Sequence, residues 1–462
     1  MEIVLKPFKL GNQYYVYDRN TNKILAVPKQ DYEVLCSNQS GTEKNAVLKK
    51  YQSKGFFLEN RLTKIKHPAN DFVTQFEEEN VTQLILQVTQ DCNLRCSYCY
   101  YVNESYRNRH HAKLNMSVDT ARKAMDYLLS HSVGKDNITL GFYGGEPLLR
   151  MDILKYCIEY MESQVQDRRI LFTLTTNGTL LTDDIIEYFI AHNVALFISL
   201  DGTKETHDRN RKFVNGHGSF DIVMWNVAHI KERYPEYFKT IYFNTVISPE
   251  MDMKCVRDYY SADEVLATAN FTSSTIQEFY TDDPPQYDDR LYIDSQYGEF
   301  KALLICAGRL SAKDMPFIYQ GDISDIRKLQ ENLHTDFLLP SAYHHGGPCI
   351  AGSRRLFVDV AGNFYPCERV SESSETMKIG SLEEGLNLEK VLNLINVGKI
   401  TENECKRCWA LVHCRICAAW ADNLTGLDKS KKLQACPLYK SSVLHRFKNV
   451  CALSQFTHHK IK

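Results

Sequence analysis

No run in this 462-residue chain approaches the ~18 consecutive apolar residues of a membrane helix, and the opening MEIVLKPFKL contains no apolar core of a secretory signal. These absences lead to the expectation of a cytoplasmic protein with no membrane partner. A basic excess is missing too: 55 Lys and Arg stand against 57 Asp and Glu, a net charge of −2, so the electrostatic footprint of nucleic-acid binding is lacking. Cysteine, by contrast, is plentiful, with 15 in a chain that is 44% hydrophobic and 24% charged. A reducing compartment keeps thiols free, so this many cysteines argue for metal rather than disulfides. Cys36, Cys157, Cys255, Cys306 and Cys451 stand apart and receive no role, and the other ten fall into spaced groups.

The first group is DCNLRCSYCYY, which sets Cys92, Cys96 and Cys99 in the spacing CxxxCxxC within one short loop. An iron–sulfur cube takes four ligands, so a cube held by three thiolates leaves one iron open for an exchangeable ligand. A structural zinc site would need a fourth ligand nearby and usually shows CxxC pairs. The spacing, followed by the aromatic Tyr100, resembles the signature of radical SAM enzymes. The resemblance implies that S-adenosylmethionine chelates the open iron and is cleaved reductively to methionine and a 5′-deoxyadenosyl radical.

A βα alternation begins at residue 83: strand 84–89, helix 116–130 with Ser117 as N-cap, then strands near 138–143, 169–176, 196–200, 240–247 and 270–276 separated by helical patterns. Strands alternating with helices predict a parallel sheet with right-handed crossovers, here α/β with a partial (β/α)6 barrel whose working loops follow the strands. Those loops are polar or glycine-rich: Tyr143-Gly144-Gly145-Glu146-Pro147, Thr175-Thr176-Asn177-Gly178, and Ser199-Leu200-Asp201-Gly202 followed by His207-Asp208-Arg209-Asn210-Arg211. By resemblance, GGEP is the methionine-binding motif, and Ser199 and Arg211 contact the ribose and carboxylate of SAM. Tyr98, Gly144, Gly145, Glu146, Thr176, Asn177, Ser199, Asp201 and Arg211 form the expected cofactor-binding set. A guanidinium suits a carboxylate because it pairs with it through two hydrogen bonds.

Residues 1–82 read as a separate unit, with short strand-like runs at 2–8, 13–18 and 23–27 and then helical patterns. This order resembles the PqqD-like, winged-helix-like element that binds the leader of a ribosomal precursor peptide by adding it to a sheet edge. A DNA-binding winged helix is disfavoured because the segment carries 12 Lys and Arg against 10 Asp and Glu. The expected division is 1–82 for leader recognition, 83–300 for the radical SAM core, 301–345 as a bridge and 346–462 as a second cysteine field.

In that field Cys349 and Cys367 flank a hairpin pattern around Gly362-Asn363, Cys405, Cys408, Cys414 and Cys417 follow as CxxCxxxxxCxxC, and Cys436 comes last. Seven thiolates exceed one cube and suffice for two if one cube lacks a ligand. The pattern resembles the SPASM extension, except that CRIC has two intervening residues where the family has three. The resemblance implies two auxiliary clusters, hence three [4Fe–4S] clusters in all. Cys405, Cys408, Cys414 and Cys436 would hold the distal one and Cys349, Cys367 and Cys417 the nearer one, with an open iron unless His344 or His345 fills it.

Together these parts resemble the maturases that install thioether crosslinks in cysteine-rich ribosomal peptides, the sactipeptide and ranthipeptide enzymes. The implied partners are a cysteine-rich precursor peptide bound through its leader and a flavodoxin- or ferredoxin-type reductant. Carbon–carbon crosslinking, sulfatase formylglycine formation, and an iron–sulfur electron carrier or redox sensor are the alternatives.

Overall fold

The computed structural model describes residues 2–37, 41–166, 168–311, 320–350, 352 and 355–456. Parts of the expected bridge (312–319) and the end of the second cysteine field (457–462) lie outside the described residues.

The chain opens with an antiparallel sheet of β1 (Leu5–Leu10), β2 (Gln13–Asp18) and β3 (Lys23–Ala26), followed by α1 (Lys29–Cys36) and α2 (Thr42–Gln52). Strand alternation gives the sheet two apolar faces. Val16, Leu25 and Val27 pack on Leu35, Tyr51 and Phe57 of the same unit, whereas Phe8, Tyr15, Tyr17 and Ile24 pack on Leu329, Leu333, Phe447 and Val450 from the far end of the chain. Arg19, fully buried in the turn after β2, donates to the carbonyls of Lys406 (2.7 Å) and Cys408 (3.3 Å). The first unit is thus fastened to the second cysteine field.

Strand β4 (Lys64–Ile65) leads to α3 (Val73–Glu79), which brings Glu77 into the interior. This carboxylate is 3% exposed and neither oxygen has a hydrogen-bond partner; burial pushes its pKa up to about 8. The folded state therefore holds a proton that the unfolded chain releases near pH 4.5, and the stability tied to that proton declines as pH rises from about 4.5 to 8. Glu77→Met should stabilise by about 1–3 kcal/mol near pH 8 and by less near pH 5, while Glu77→Gln, which keeps an orphaned polar group, gains less. Thermal unfolding of the three proteins across that pH range measures the difference.

The central sheet comprises β5 (Gln83–Thr89), β6 (Asn137–Gly144), β7 (Arg169–Thr176), β8 (Val194–Ser199), β9 (Tyr242–Ile247) and β10 (Asn270–Thr275), all parallel and adjacent in chain order. The crossovers include α4 (Val118–Ser130), α5 (Met151–Gln164), α6 (Asp183–Ala191), α7 (Lys204–Asn210), α8 (Phe220–Arg233), α9 (Pro235–Phe238) and α10 (Met253–Ala262). Ser117 caps α4, its Oγ accepting from Thr120 N–H at 3.0 Å. Strands covered on both faces read as continuous apolar runs, and β5 shows it: Leu84 to Thr89 are all buried. Cys157 packs at 0% exposure inside this core.

Beyond β10, α11 (Asp289–Cys306) and α12 (Gln320–His334) precede β11 (Ala342–Tyr343), which pairs with β4. The expected hairpin forms as β12 (Leu356–Val358) and β13 (Asn363–Tyr365). Its first strand also pairs in parallel with β5, Leu356 opposite Leu84, so the hairpin and the short β14 (Gly380–Ser381) and β15 (Gly385–Leu386) extend the same sheet to ten strands. Helices α13 (Leu388–Ile395), α14 (Glu402–Lys406) and the long α15 (Lys429–Phe456) complete the chain. No helix among the described residues is long and apolar enough to cross a membrane.

Candidate active site and cysteine-lined cavities

A cavity of about 730 Å³ opens where the parallel strands end, and its walls include Cys92, Cys96 and Cys99. The loop that carries them is fixed by backbone pairing, with Arg95 N–H donating to Lys212 O (2.7 Å) and Ser97 N–H to Asn210 O (3.0 Å). Burial pushes the thiols of Cys92 and Cys96 up to about 12 and raises that of Cys99. Such thiols stay protonated unless a metal takes the proton's place, which is how thiolate ligands form. Among the described residues no three His, Cys, Asp or Glu side chains converge tightly enough to hold a single ion. The three thiols line the cavity wall.

The expected cofactor residues gather around the same cavity. Tyr98, Gly144, Gly145, Glu146, Thr176, Asn177, Ser199 and Arg211 line it; Asp201 stands behind. Asp201 is fully buried and holds Arg211, whose Nε donates at 2.7 Å, and it accepts from Tyr98 OH (2.5 Å) and Val246 N–H (2.9 Å). Asp201 pairs with both Nε (2.7 Å) and Nη2 (3.4 Å) of Arg211 and so fixes the guanidinium at the cavity wall.

Glu146 also serves as a brace. It accepts from Thr176 Oγ1 (2.7 Å), Asn177 N–H (2.7 Å) and Leu148 N–H (3.1 Å), joining the loops after β6 and β7. Burial pushes its pKa up to about 7. Asn177 in turn donates to Asn93 (2.7 Å) in the cysteine loop.

The two glycines are dictated by close approach. Gly145 N–H donates to Thr89 O (2.9 Å) and Glu146 N–H to Asp91 O (2.8 Å). A Cβ on Gly145 would stand 1.9 Å from the carbonyl oxygen of Asp91, and one on Gly144, at φ +134°, would stand 2.2 Å from that of Thr89. Gly145→Ala should push the Asp91–Cys92 backbone away and weaken SAM binding at least about tenfold, or ~1.4 kcal/mol. Gly346→Ala, where nothing lies within 4 Å of the added methyl, should leave it unchanged in the same equilibrium titration.

A second cavity, of about 280 Å³, is lined by Cys405, Cys408, Cys414 and Cys436, the four residues expected to share one cluster. Burial raises the thiols of Cys408, Cys414 and Cys436. The remaining three cysteines form their own neighbourhood. Burial pushes Cys367 up to about 12 and raises Cys417, and among the lesser causes Cys417 acts on Cys367 and Cys349 on Cys417. Glu368 and Arg369, next to Cys367, reach the first cavity. There Tyr100, which follows Cys99, donates through its hydroxyl to Glu368 O (3.1 Å).

Of the two histidines expected near this set, His344 is engaged elsewhere. His344 Nδ1–H donates to His345 O (2.8 Å) and its Nε2 accepts from Gly398 N–H (2.8 Å), so both nitrogens are engaged. His345 lines the second cavity. Sequence reasoning gave no role to Lys432, which also reaches that cavity, nor to Glu372, which accepts from Tyr101 (2.5 Å), Gln87 (2.7 Å) and Arg109 (2.6 Å) behind the first. Their neighbours in sequence carry no signal for these contacts.

A parallel α/β sheet with three cysteines and polar loops at its strand ends defines the class, and comparison with known proteins agrees. Residues 86–261 match the model of the Radical SAM superfamily. A cysteine-type anaerobic sulfatase-maturating enzyme from Clostridium novyi is 31% identical over 165 residues, 34% of this chain and 42% of the relative, so the chain spans about two fifths of that protein's length. The radical SAM cyclopropyl synthase TigE of Paramaledivibacter caminithermalis is 22% identical over 437 residues, covering 88% of this chain and 84% of TigE. The solved structure of native anSMEcpe with bound AdoMet has a TM-score of 0.56 at 18% identity, across 81% of this chain and 99% of that one, a likeness of fold.

Proposed function

We propose that this chain is a radical SAM maturase that modifies a peptide, with three [4Fe–4S] clusters held by the three cysteine sets, and that it installs cysteine thioether crosslinks. The observation that carries the reading is the first cavity. It joins Cys92, Cys96 and Cys99 to the expected SAM residues and, on its other side, to Glu368 and Arg369 beside Cys367. When bound, cluster and SAM supply a hydrogen-abstracting radical. The chain's own residues do the rest: Arg211, steadied by Asp201, holds an anionic group; Gly144 and Gly145 admit the ligand to close backbone approach; Glu146 keeps two loops in register.

The thioether outcome rests on the third cysteine set. Cys349, Cys367 and Cys417 offer three thiolates, while His344 is engaged elsewhere and His345 lines the second cavity. A substrate thiolate is the soft ligand that suits the open iron. The unit of residues 1–82 would receive the leader at a free sheet edge. A second reading, carbon–carbon bond formation, is favoured by the relative TigE, named a cyclopropyl synthase, which aligns over most of this chain.

Co-expression with a cysteine-containing precursor peptide tests the reading. Loss of two hydrogens per event, with the modified cysteine resistant to alkylation, supports thioether formation. The same mass change with a freely alkylated cysteine favours carbon–carbon coupling, and no SAM cleavage in the presence of dithionite overturns both.

A further inference from the structure

The second cavity receives two side chains that its cysteines do not explain. His345 is 1% exposed, and neither ring nitrogen has a hydrogen-bond partner. Lys432, from α15, is also 1% exposed; its Nζ donates to Thr401 Oγ1 (2.7 Å) and lies 3.7 Å from Cys405 Sγ. Thr401 Oγ1 itself is 3.2 Å from the same sulfur. Glu404 and Lys440 also line the cavity; both are exposed, and Glu404 is paired with Lys429 at 2.6 Å. Among the described residues no carboxylate forms an ion pair with Lys432.

A buried ammonium without an anion costs several kcal/mol, and a buried imidazole without a partner costs a hydrogen bond. Thr401 Oγ1 and Cys405 Sγ accept from the ammonium, and His345 keeps both ring nitrogens without a partner. An anionic group with sulfur acceptors in the cavity would satisfy both at once, and the two residues reach it from separate elements, the segment after β11 and the body of α15. Resting on the reading that Cys405, Cys408, Cys414 and Cys436 hold a cluster, we infer that Lys432 and His345 are its outer partners and that they raise its reduction potential.

The physical basis is the charge change. A cube with four thiolates is already negative and gains one more charge on one-electron reduction, with no protein bond made or broken. A fixed cation close to one ligand sulfur stabilises the reduced form more than the oxidised form, and an N–H donated to sulfur acts in the same direction. Thr401, donating to Cys405 or receiving from Lys432, keeps the ammonium in place.

The test is an EPR-monitored potentiometric titration of the anaerobically reconstituted full chain, with dithionite as reductant and without SAM or peptide. The distal signal is the one lost in the Cys405→Ala/Cys408→Ala/Cys414→Ala variant. In Lys432→Met the reduced-to-oxidised ratio at the wild-type midpoint should fall about tenfold, equivalent to about 59 mV for one electron. His345→Phe should shift it in the same direction by less, and Lys432→Arg should stay near wild type. Unchanged midpoints in Lys432→Met and His345→Phe at full iron content overturn the inference. Should Lys432→Met lose the cluster, His345→Phe decides alone. Full iron content in the triple cysteine variant would instead overturn the distal-cluster reading on which the inference stands.

Discussion

Changing Cys92, Cys96 and Cys99 together to Ala should lower the iron bound by the anaerobically reconstituted chain from about twelve to about eight, the loss of one cube, and should reduce 5′-deoxyadenosine formation from SAM and dithionite to background. The variant should remain folded. The loop's position comes from backbone bonds to Lys212 and Asn210 and from the pairing of Gly145 and Glu146 with Thr89 and Asp91, none of which involves a thiol. Removing the three thiols takes away one loop hydrogen bond, Leu94 N–H to Cys92 Sγ (3.4 Å), and leaves the backbone pairing in place. Thermal unfolding should therefore stay close to wild type in the iron-free state, while the wild type alone gains stability on reconstitution, because a group that binds only the folded chain stabilises it. An unchanged iron count would show that these cysteines hold no cluster.

The parts that were legible in the sequence are those with a local cause. Strand β5 is covered on both faces and so reads as an apolar run, and Ser117 announces the start of α4 because its hydroxyl is the cap. The CxxxCxxC spacing is local as well, whereas the glycine pair shows as a local motif although its cause is the distant backbone of Thr89 and Asp91. What was not legible depends on partners distant in sequence. The pairing of β12 with β5 joins residues 356 and 84, and no turn signal links them. Asp201, read as a cofactor contact, lies behind Arg211 because the chain folds Tyr98 and Val246 N–H onto the same carboxylate. Lys432 sits in a lysine-rich stretch that looks solvated, yet the helix turns this one residue inward to Thr401.

The same distinction bears on the nearer cysteine set, whose proposed open iron is what would separate thioether formation from the other chemistries. Adding a cysteine-containing precursor peptide to the reduced, reconstituted chain should perturb the EPR signal assigned to Cys349, Cys367 and Cys417. The same peptide with Ser in place of Cys should bind and leave that signal unaltered, since a hydroxyl stays protonated near neutral pH and is a poor ligand for a soft metal site. Cys417→Ala should abolish crosslinking, a loss to below detection, while 5′-deoxyadenosine release continues, because the radical arises at the other end of the cavity, beside Cys92, Cys96 and Cys99. His344→Gln should not mimic it, because His344 is engaged with Gly398 and with the carbonyl of His345 rather than with this set. Identical spectra with the Cys and Ser peptides would remove the support for a substrate thiolate at this position. With deoxyadenosine release intact, that result would move the assignment to carbon–carbon coupling, for which the peptide needs no sulfur at the auxiliary iron.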